Sequence, residues 1–454
     1  MTTAVASRGV AIDQRSPPSS LAAAASHIGF AVAWRNLARN RRRSWLTGSA
    51  VGFASMLLVF AMSMQGGSYG AMIDNATRLL TGHVQIQHPD WFDDAKLRHL
   101  VPDADARVAA LAGDPRVEAV TARTQAFAVL SGDERSFGAR IMGVDAERET
   151  RFSLLPEFVE DGRYLSGARG EIVLGSALAR NLDVAVGDEI VFLGTALDGG
   201  IAAAAATLVG TLSAGQPDID RALAQIPIAD AREVFALGGA AHEIVVTLAD
   251  VADADALAEP LGRVAAAAVS PAEDAGAPPS VGARVPADGE RLRALPWRVL
   301  IPELEQMIEL DRASAYFFYL LLALMVTFSI ANTFMMTVYE RTREFGTLFA
   351  LGVRPGFVIL LLQLESLLLC GAGVLGGTLL GLALTGSLMI VGIPLDEVGA
   401  ELMRQFHMPD RLYPTLSLAA VATGPVFMLL ATQVAALLPA LRLRRLEPVV
   451  ALRD

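Results

Sequence analysis

Residues 366–395 read SLLLCGAGVLGGTLLGLALTGSLMIVGIPL, a stretch without one charged side chain. A bilayer core of about 30 Å takes roughly 20 helical residues to cross, so this stretch by itself predicts a transmembrane helix. Three further windows, 44–73, 313–339 and 412–441, are also free of charge. Composition agrees: of 454 residues 53% are hydrophobic and 19% charged, where soluble domains carry about a quarter charged residues. The fold class predicted is an α-helical membrane protein with four transmembrane helices, arranged one and then three. The spans are placed at 44–66, where glycines begin, and at 313–339, 356–395 and 412–441. Residues 67–312 lie between the first two and are too many for a loop.

Orientation follows from arginine in the short flanks, where the positive-inside bias acts. Arg35, Arg39, Arg41, Arg42 and Arg43 precede the first span; Arg341, Arg343 and Arg354 separate the second and third; Arg442, Arg444, Arg445 and Arg453 follow the fourth. These three segments are expected inside, so both termini are cytoplasmic and 67–312 is extracytoplasmic. The connection at 396–411 is net acidic and belongs outside. The first apolar run is too long for an ordinary signal-peptide core and starts too far along the chain, so an uncleaved anchor is expected. Before it, Phe30, Trp34 and Leu37 share a face of an amphipathic cytoplasmic helix at 27–43. Residues 1–26, rich in Ala and Ser, read as a disordered tail.

The large domain alternates strand-like runs (82–87, 139–144, 189–193, 243–248) with helical ones (103–113, 176–182, 229–237), an α+β pattern. A stretch at about 265–289, rich in Ala, Pro, Asp and Gly, reads as a flexible insertion. Chemistry is sparse here. His83, His88 and His99 lack supporting cysteines, Cys370 being the only one, and read as structural or surface histidines rather than metal ligands. Ser176 in LGSAL lacks the second glycine of a nucleophile elbow and reads as a helix N-cap. Lys96 is the only lysine among the 37 basic residues, and its neighbours are not those of a P-loop. No catalytic, cofactor or metal site is expected in this sequence, and ATP, if used, is bound with magnesium by a partner.

Two motifs inside the membrane unit carry more information. The segment YERTREFGTLFALGVRP, 339–355, predicts a cytoplasmic helix at 340–355 with Phe345, Leu348 and Phe349 on one face. Glu340, Arg343, Glu344 and Thr347 cluster away from it, and Arg341 breaks the pattern. Glu340 and Glu344 are like charges four apart, a mildly unfavourable pair that would suit a cationic protein partner. In the third span, Gly373, Gly377 and Gly381 recur every four residues, a stripe that lets another helix backbone approach. Glu365, near the inner end of that span, is an intramembrane acid and so a functional candidate that could also pair with an arginine. Gly424-Pro425 predicts a kink in the fourth span.

One span, a large external domain and three further spans, with ERTREFG (340–346) before LFALG (348–352), resemble the FtsX-like permeases of ABC transporters. RRLEPVVALR (444–453) is similar to that family's closing signature and WRNLAR (34–39) to its opening one. GRYL (162–165), EIVLG (171–175) and VGDEI (186–190) resemble the MacB-type periplasmic core. TGHVQIQHPD (81–90), LPW (295–297), PEL (302–304) and ELD (309–311) look closest to the lipoprotein-releasing LolC/LolE branch. The resemblance implies a permease of the bacterial inner membrane, paired with a second copy or a paralogue and driven by separate ATPase subunits. It implies that Glu340, Arg341, Arg343, Glu344, Phe345 and Gly346 form the ATPase-coupling segment. It further implies mechanical work on an amphiphilic cargo, lipoprotein first, with a periplasmic adaptor or carrier as a further partner and no nucleic acid. Drug or peptide efflux, and FtsX-like regulation of a cell-wall hydrolase, are the alternatives.

Overall fold

A computed structural model describes residues 41–268, 292–394 and 411–443. The tail at 1–26, nearly all of the amphipathic helix, the opening and closing signatures, most of the insertion and nearly all of the acidic connection lie outside the described residues. The chain forms two compact units. One comprises Met1–Gly66, Ala313–Gly392 and Tyr413–Asp454, the other Gly67–Arg312 and Ile393–Leu412.

Helix α1, Arg41–Ala76, leads into a single π-helical segment, Thr77–Thr81. The elements that follow are β1 (Val84–Gln87), α2 (Ala104–Ala112), β2 (Val117–Ser131), β3 (Ser136–Val144), α3 (Ala146–Phe152), β4 (Val159–Gly162), β5 (Glu171–Gly175) and α4 (Ser176–Leu182). They continue with β6 (Glu189–Thr195), β7 (Ile201–Leu212), α5 (Pro217–Asp220), β8 (Leu223–Pro227), α6 (Ile228–Val234), β9 (Glu243–Leu248), α7 (Ala254–Ala267) and β10 (Arg293–Pro296). A short α8 (Trp297–Leu300) precedes α9 (Pro302–Glu340), α10 (Thr342–Ala350) and α11 (Pro355–Val391). The chain closes with β11 (Ile393–Pro394), β12 (Arg411–Leu412) and α12 (Leu418–Arg442).

Among the described residues α1 with its π-helical end, α9, α11 and α12 are long and apolar enough to cross a membrane. Their ends differ from the sequence-based spans. Helix α1 runs ten residues beyond Gly66 to Ala76, because glycines inside a helix cost only about 1 kcal/mol each. Helix α9 begins at Pro302, where proline suits a first turn. Helix α11 stops at Val391, before Gly392 at a φ of 68°, rather than running to 395. Helix α12 starts at Leu418 behind the Ser417 cap, and Leu412 instead pairs with Ile393 in a two-stranded ladder. Helix α12 runs through both Pro425 and Pro439. The insertion begins later than expected, since 265–267 complete α7.

The core of the membrane unit gathers Val51, Ala54 and Leu58 of α1, Val326, Ile330 and Phe334 of α9, Cys370 and Val374 of α11, and Met428 and Ala435 of α12. In the other unit, ten strands form one sheet. Following the pairings, β2–β3–β8–β5–β7–β6 returns to β2 and closes a ring. Alternating residues point into it: Ala126, Ala128 and Leu130 of β2, Ile190 and Phe192 of β6, Ala202 and Ala206 of β7. The alanines of β7 leave room for Phe192, whose ring lies 6.4 Å from that of Phe235. The first half of β2 leaves the ring to pair with β9, followed outward by β1 and β10. Under that flap α2 and α7 bury Val108, Leu111, Ala258 and Leu261. Ser176 is the first residue of α4 and makes no cap. The cap position is Gly175, because β5 runs straight into the helix without a loop residue to spare.

A buried ion pair fixes the end of α1 within this unit. Arg123 and Glu149 are both fully buried, and the Arg123 guanidinium donates to Glu149 and to the Leu80 carbonyl. It also lies over the Phe152 ring at 4.8 Å. Strand β2, helix α3 and the π-helical end of α1 are thereby joined through one side chain.

His242 is a second buried polar group, with the Trp91 ring tilted by 36° against it at 4.4 Å. Its Nδ1 accepts from the Gln125 N–H at 3.0 Å and its Nε2 donates to the Leu97 carbonyl at 3.1 Å, which fixes a neutral tautomer. Burial holds its pKa down to about 4, from 6.5. A proton therefore binds the unfolded chain first. Stability is complete above about pH 6.5 and falls by about 3 kcal/mol as pH drops toward 4. Denaturant unfolding of the full chain in detergent at about pH 7.5 and 4.5 should show His242→Gln losing less stability on acidification than wild type. Equal losses would place the acid sensitivity elsewhere.

Candidate functional site

The segment 339–355 folds as the end of α9, a one-residue break and α10. Arg341, at φ −106° and ψ 12°, is that break. Glu340 therefore belongs to α9 and not to the short helix expected at 340–355, which spans Thr342–Ala350. The buried face of α10 carries Phe345 and Gly346, with Leu348 and Phe349 packed beside them. Phe345 lies in a cluster with Val338 of α9, Val358, Ile359 and Leu362 of α11, and Ala440 and Leu443 at the end of α12. The sequence-based division of apolar from polar faces is the one observed.

Two arginines organise the charges around this turn. Arg43 of α1 meets Glu340 at 2.9 Å and also donates to the Thr333 carbonyl. Arg341 donates from Nε to Glu344 at 2.9 Å and from Nη1 to Glu365 of α11 at 3.2 Å, and it sits over the Phe345 ring at 5.2 Å. Glu365 is only 8% exposed, so the intramembrane acid has an arginine as its partner. The expectation of an unrelieved pair at Glu340 and Glu344 is corrected: each carboxylate has its own guanidinium. Sequence spacing missed this because Arg43 is remote in the chain and Arg341 turns out of the helical register at the break. Arg343 stands exposed on α10.

The glycine stripe of α11 packs on α1. A Cβ added at Gly373 would lie 2.6 Å from the Gly48 carbonyl oxygen, and one at Gly377 would overlap the carbonyl of Gly52 outright. A Cβ at Gly381 would meet Val59 at 3.1 Å and the Met56 carbonyl at 3.2 Å. Ser55 of α1 reaches the Val374 carbonyl at 3.3 Å and the Thr378 hydroxyl at 3.2 Å. Gly48 and Gly52 are thus the other half of the contact. Their own spacing, GSAVG at 48–52, is the signal that would have named α1. Between α1, α9 and α12 an apolar cleft of about 340 Å³ is lined by Leu58, Met62, Tyr316, Tyr319, Thr423 and Phe427.

In the large domain, ligand atoms of His88, Asp90 and His99 lie within 4.8 Å of one another. The two imidazoles stack at 4.7 Å and 7°, which aims their nitrogens side by side rather than at one point. Both Nδ1 atoms are engaged, by the Asp90 N–H and the Asp94 carbonyl. His83 is buried, with its Nδ1 accepting from the Leu248 N–H at 3.0 Å.

What stands out in one unit is a pair of helix ends joined by charge and a contact between two glycine faces, and in the other a mixed α+β domain that follows the first apolar helix in the chain. Residues 44–264 match the MacB-like periplasmic core domain and residues 316–448 the FtsX-like permease C-terminal domain. The chain belongs to the FtsX/MacB-like family of ABC transporter permeases. The lipoprotein-releasing system transmembrane protein LolC of Neisseria meningitidis is 22% identical over 420 residues, covering 90% of this chain and 92% of that protein. LolC of Xylella fastidiosa (strain Temecula1) is 25% identical over 75% of this chain and 78% of its own. The macrolide export ATP-binding/permease protein MacB of Rhodospirillum rubrum is 32% identical over 127 residues, 27% of this chain and 16% of that protein. Among solved structures, the periplasmic region of MacB from Actinobacillus actinomycetemcomitans covers 49% of this chain and 92% of its own, at 14% identity and a TM-score of 0.34. This permease is accordingly a bacterial inner-membrane protein with four membrane helices and a MacB-like periplasmic core domain between the first and second.

Proposed function

We propose that this permease, working with a second copy or a paralogue, uses ATPase-driven motion to extract lipoprotein from the outer face of the membrane. The ATPase is a separate subunit holding ATP and magnesium, and both termini of this chain are cytoplasmic. Glu340 to Gly346 and the rest of α10 form the coupling segment. The observation that carries the cargo assignment is extent: similarity to the Neisseria LolC spans membrane helices and core domain together, over 90% of the chain. Sequence similarity to the MacB of Rhodospirillum rubrum extends over 127 residues, 27% of the chain. Arg341 supports the mechanical part of this reading. By holding Glu344 of α10 and Glu365 of α11 at once, it links a displacement of the cytoplasmic helix to a membrane span.

The test is reconstitution of the permease with its ATPase in proteoliposomes carrying a triacylated lipoprotein, with a soluble acceptor outside. ATP should release lipoprotein, and a non-hydrolysable analogue should not. ATP-dependent movement of a macrolide without lipoprotein release would replace this cargo with drug efflux.

A further inference from the structure

We propose that α10 docks on its ATPase through a cationic face with an apolar tip, so that the cleft receiving it is acidic at its rim. This rests on the coupling reading above and adds the chemistry of the partner surface. Arg343, Thr347, Ala350 and Leu351 are all exposed and follow one another at i, i+4, i+7 and i+8, which places them on one helical face. Leu351, at the end of that face, is 78% exposed.

The charge balance gives the sign. Among the described residues of the turn, Glu340 pairs with Arg43, while Glu344 and Glu365 share Arg341, so three carboxylates meet two guanidinium groups. Arg343 and Arg354 bring the count to four arginines against three carboxylates, a net positive turn. Arg343 on the face and Arg354 just after α10 are exposed, and their guanidinium groups have no ion pair among the described residues. A guanidinium presents a planar fork of donors suited to carboxylates, and one on α10 with a second at the cap of α11 offers two separate points of attachment.

Anionic lipid is the competing source of negative charge. A helix that rests on lipid must keep its apolar face free to enter the acyl boundary. Here that face is consumed: Phe345, Leu348 and Phe349 pack with Val338, Val358, Ile359 and Leu362. What remains outward on α10 and just after it is two arginines, Glu344 held by Arg341, two small residues and one leucine, a mostly polar surface whose one exposed leucine suits a knob in a protein cleft.

The experiment uses the full-length permease coexpressed with its ATPase, extracted and captured through the permease. The variants are Arg343→Glu/Arg354→Glu, Arg343→Gln/Arg354→Gln, Leu351→Asp and, as a remote charge control, Arg135→Glu. Copurified ATPase should fall roughly tenfold or more in the double reversal and in Leu351→Asp, and less in the double glutamine variant. Arg135→Glu, an exposed charge reversal in the core domain, should keep all of it, and its loss would overturn the assignment of the effect to the α10 face. The wild-type complex should weaken as salt rises. Retention of ATPase by the double reversal, with loss in Leu351→Asp, would overturn the charge assignment and leave the coupling reading standing. Full retention by every variant would overturn both. Complexes are also assembled in nanodiscs of neutral phosphatidylcholine. Recovery of wild-type ATPase binding there by the double reversal would trace its defect to lipid and sink the proposal, whereas a persisting defect supports it.

Discussion

Gly377→Ala should eliminate the folded membrane unit, although it adds only one methyl group. The new Cβ would overlap the Gly52 carbonyl, which is backbone and cannot rotate away. Relief requires α1 and α11 to separate, undoing the Ser55 contacts to Val374 and Thr378 and the packing of Val51 against the rest of the core. The cost should exceed the about 1–3 kcal/mol usual for overpacking, where side chains can adjust. Gly373→Ala should be nearly as severe and Gly381→Ala milder, since its nearest neighbours stand at 3.1 and 3.2 Å. Gly376→Ala, one residue away on open surface, should behave as wild type. The measurement is the yield of monodisperse protein on size exclusion after membrane extraction. Equal yields for the Gly377 and Gly376 variants would remove the α1–α11 contact from this account.

The second large effect is expected at Arg123. Arg123→Met leaves the Glu149 carboxylate buried without its cation and the Leu80 carbonyl without a donor, and Glu149→Gln leaves the guanidinium uncompensated. Breaking one half of a buried pair costs about 3–5 kcal/mol, whereas replacing both halves with apolar groups of similar volume is often neutral. Limited proteolysis of the full chain should accordingly find the core domain of either single variant cut rapidly, and the Arg123→Met/Glu149→Leu double variant protected again. Protection that stays lost in the double variant would mean that the hydrogen bond to Leu80, not the charge pair, carries the stability. A secondary readout is cleavage near Thr77–Thr81, because that segment depends on the Leu80 bond.

Topology was the most legible part of this sequence, for a reason that belongs to the solvent. A bilayer forbids charge over a fixed length, so windows such as 366–395 can be read without knowing what they touch. The ends of the spans were less legible, because lipid does not decide them. Helix α1 continues past Gly66, where its side chains enter the core domain, and no apolarity rule marks that extension. Strand β7 was missed for an opposite reason. Ile201-Ala-Ala-Ala-Ala-Ala-Thr favours helix by propensity, but pairing with β5 and β6 and the bulk of Phe192 make small residues fit a strand. At the turn between α9 and α10, the apolar face of α10 was readable from its period. The charges were not, since Glu340 finds its partner in Arg43, on a different span, and Arg341 reaches Glu365 only because the helix breaks there. Spacing along one helix cannot report a partner from another.

The ring of six strands gives the core domain a mechanical property that an open sheet lacks. An open sheet can be unzipped from an outer strand, one hydrogen bond at a time, with each rupture exposing the next. In the ring β2–β3–β8–β5–β7–β6 every member is held on both sides, so no strand can be peeled first. Freeing any one strand means breaching two ladders together, so a pull on it is shared by two rows of bonds. Such a body resists fraying from an end, as an open sheet of the same strands would not.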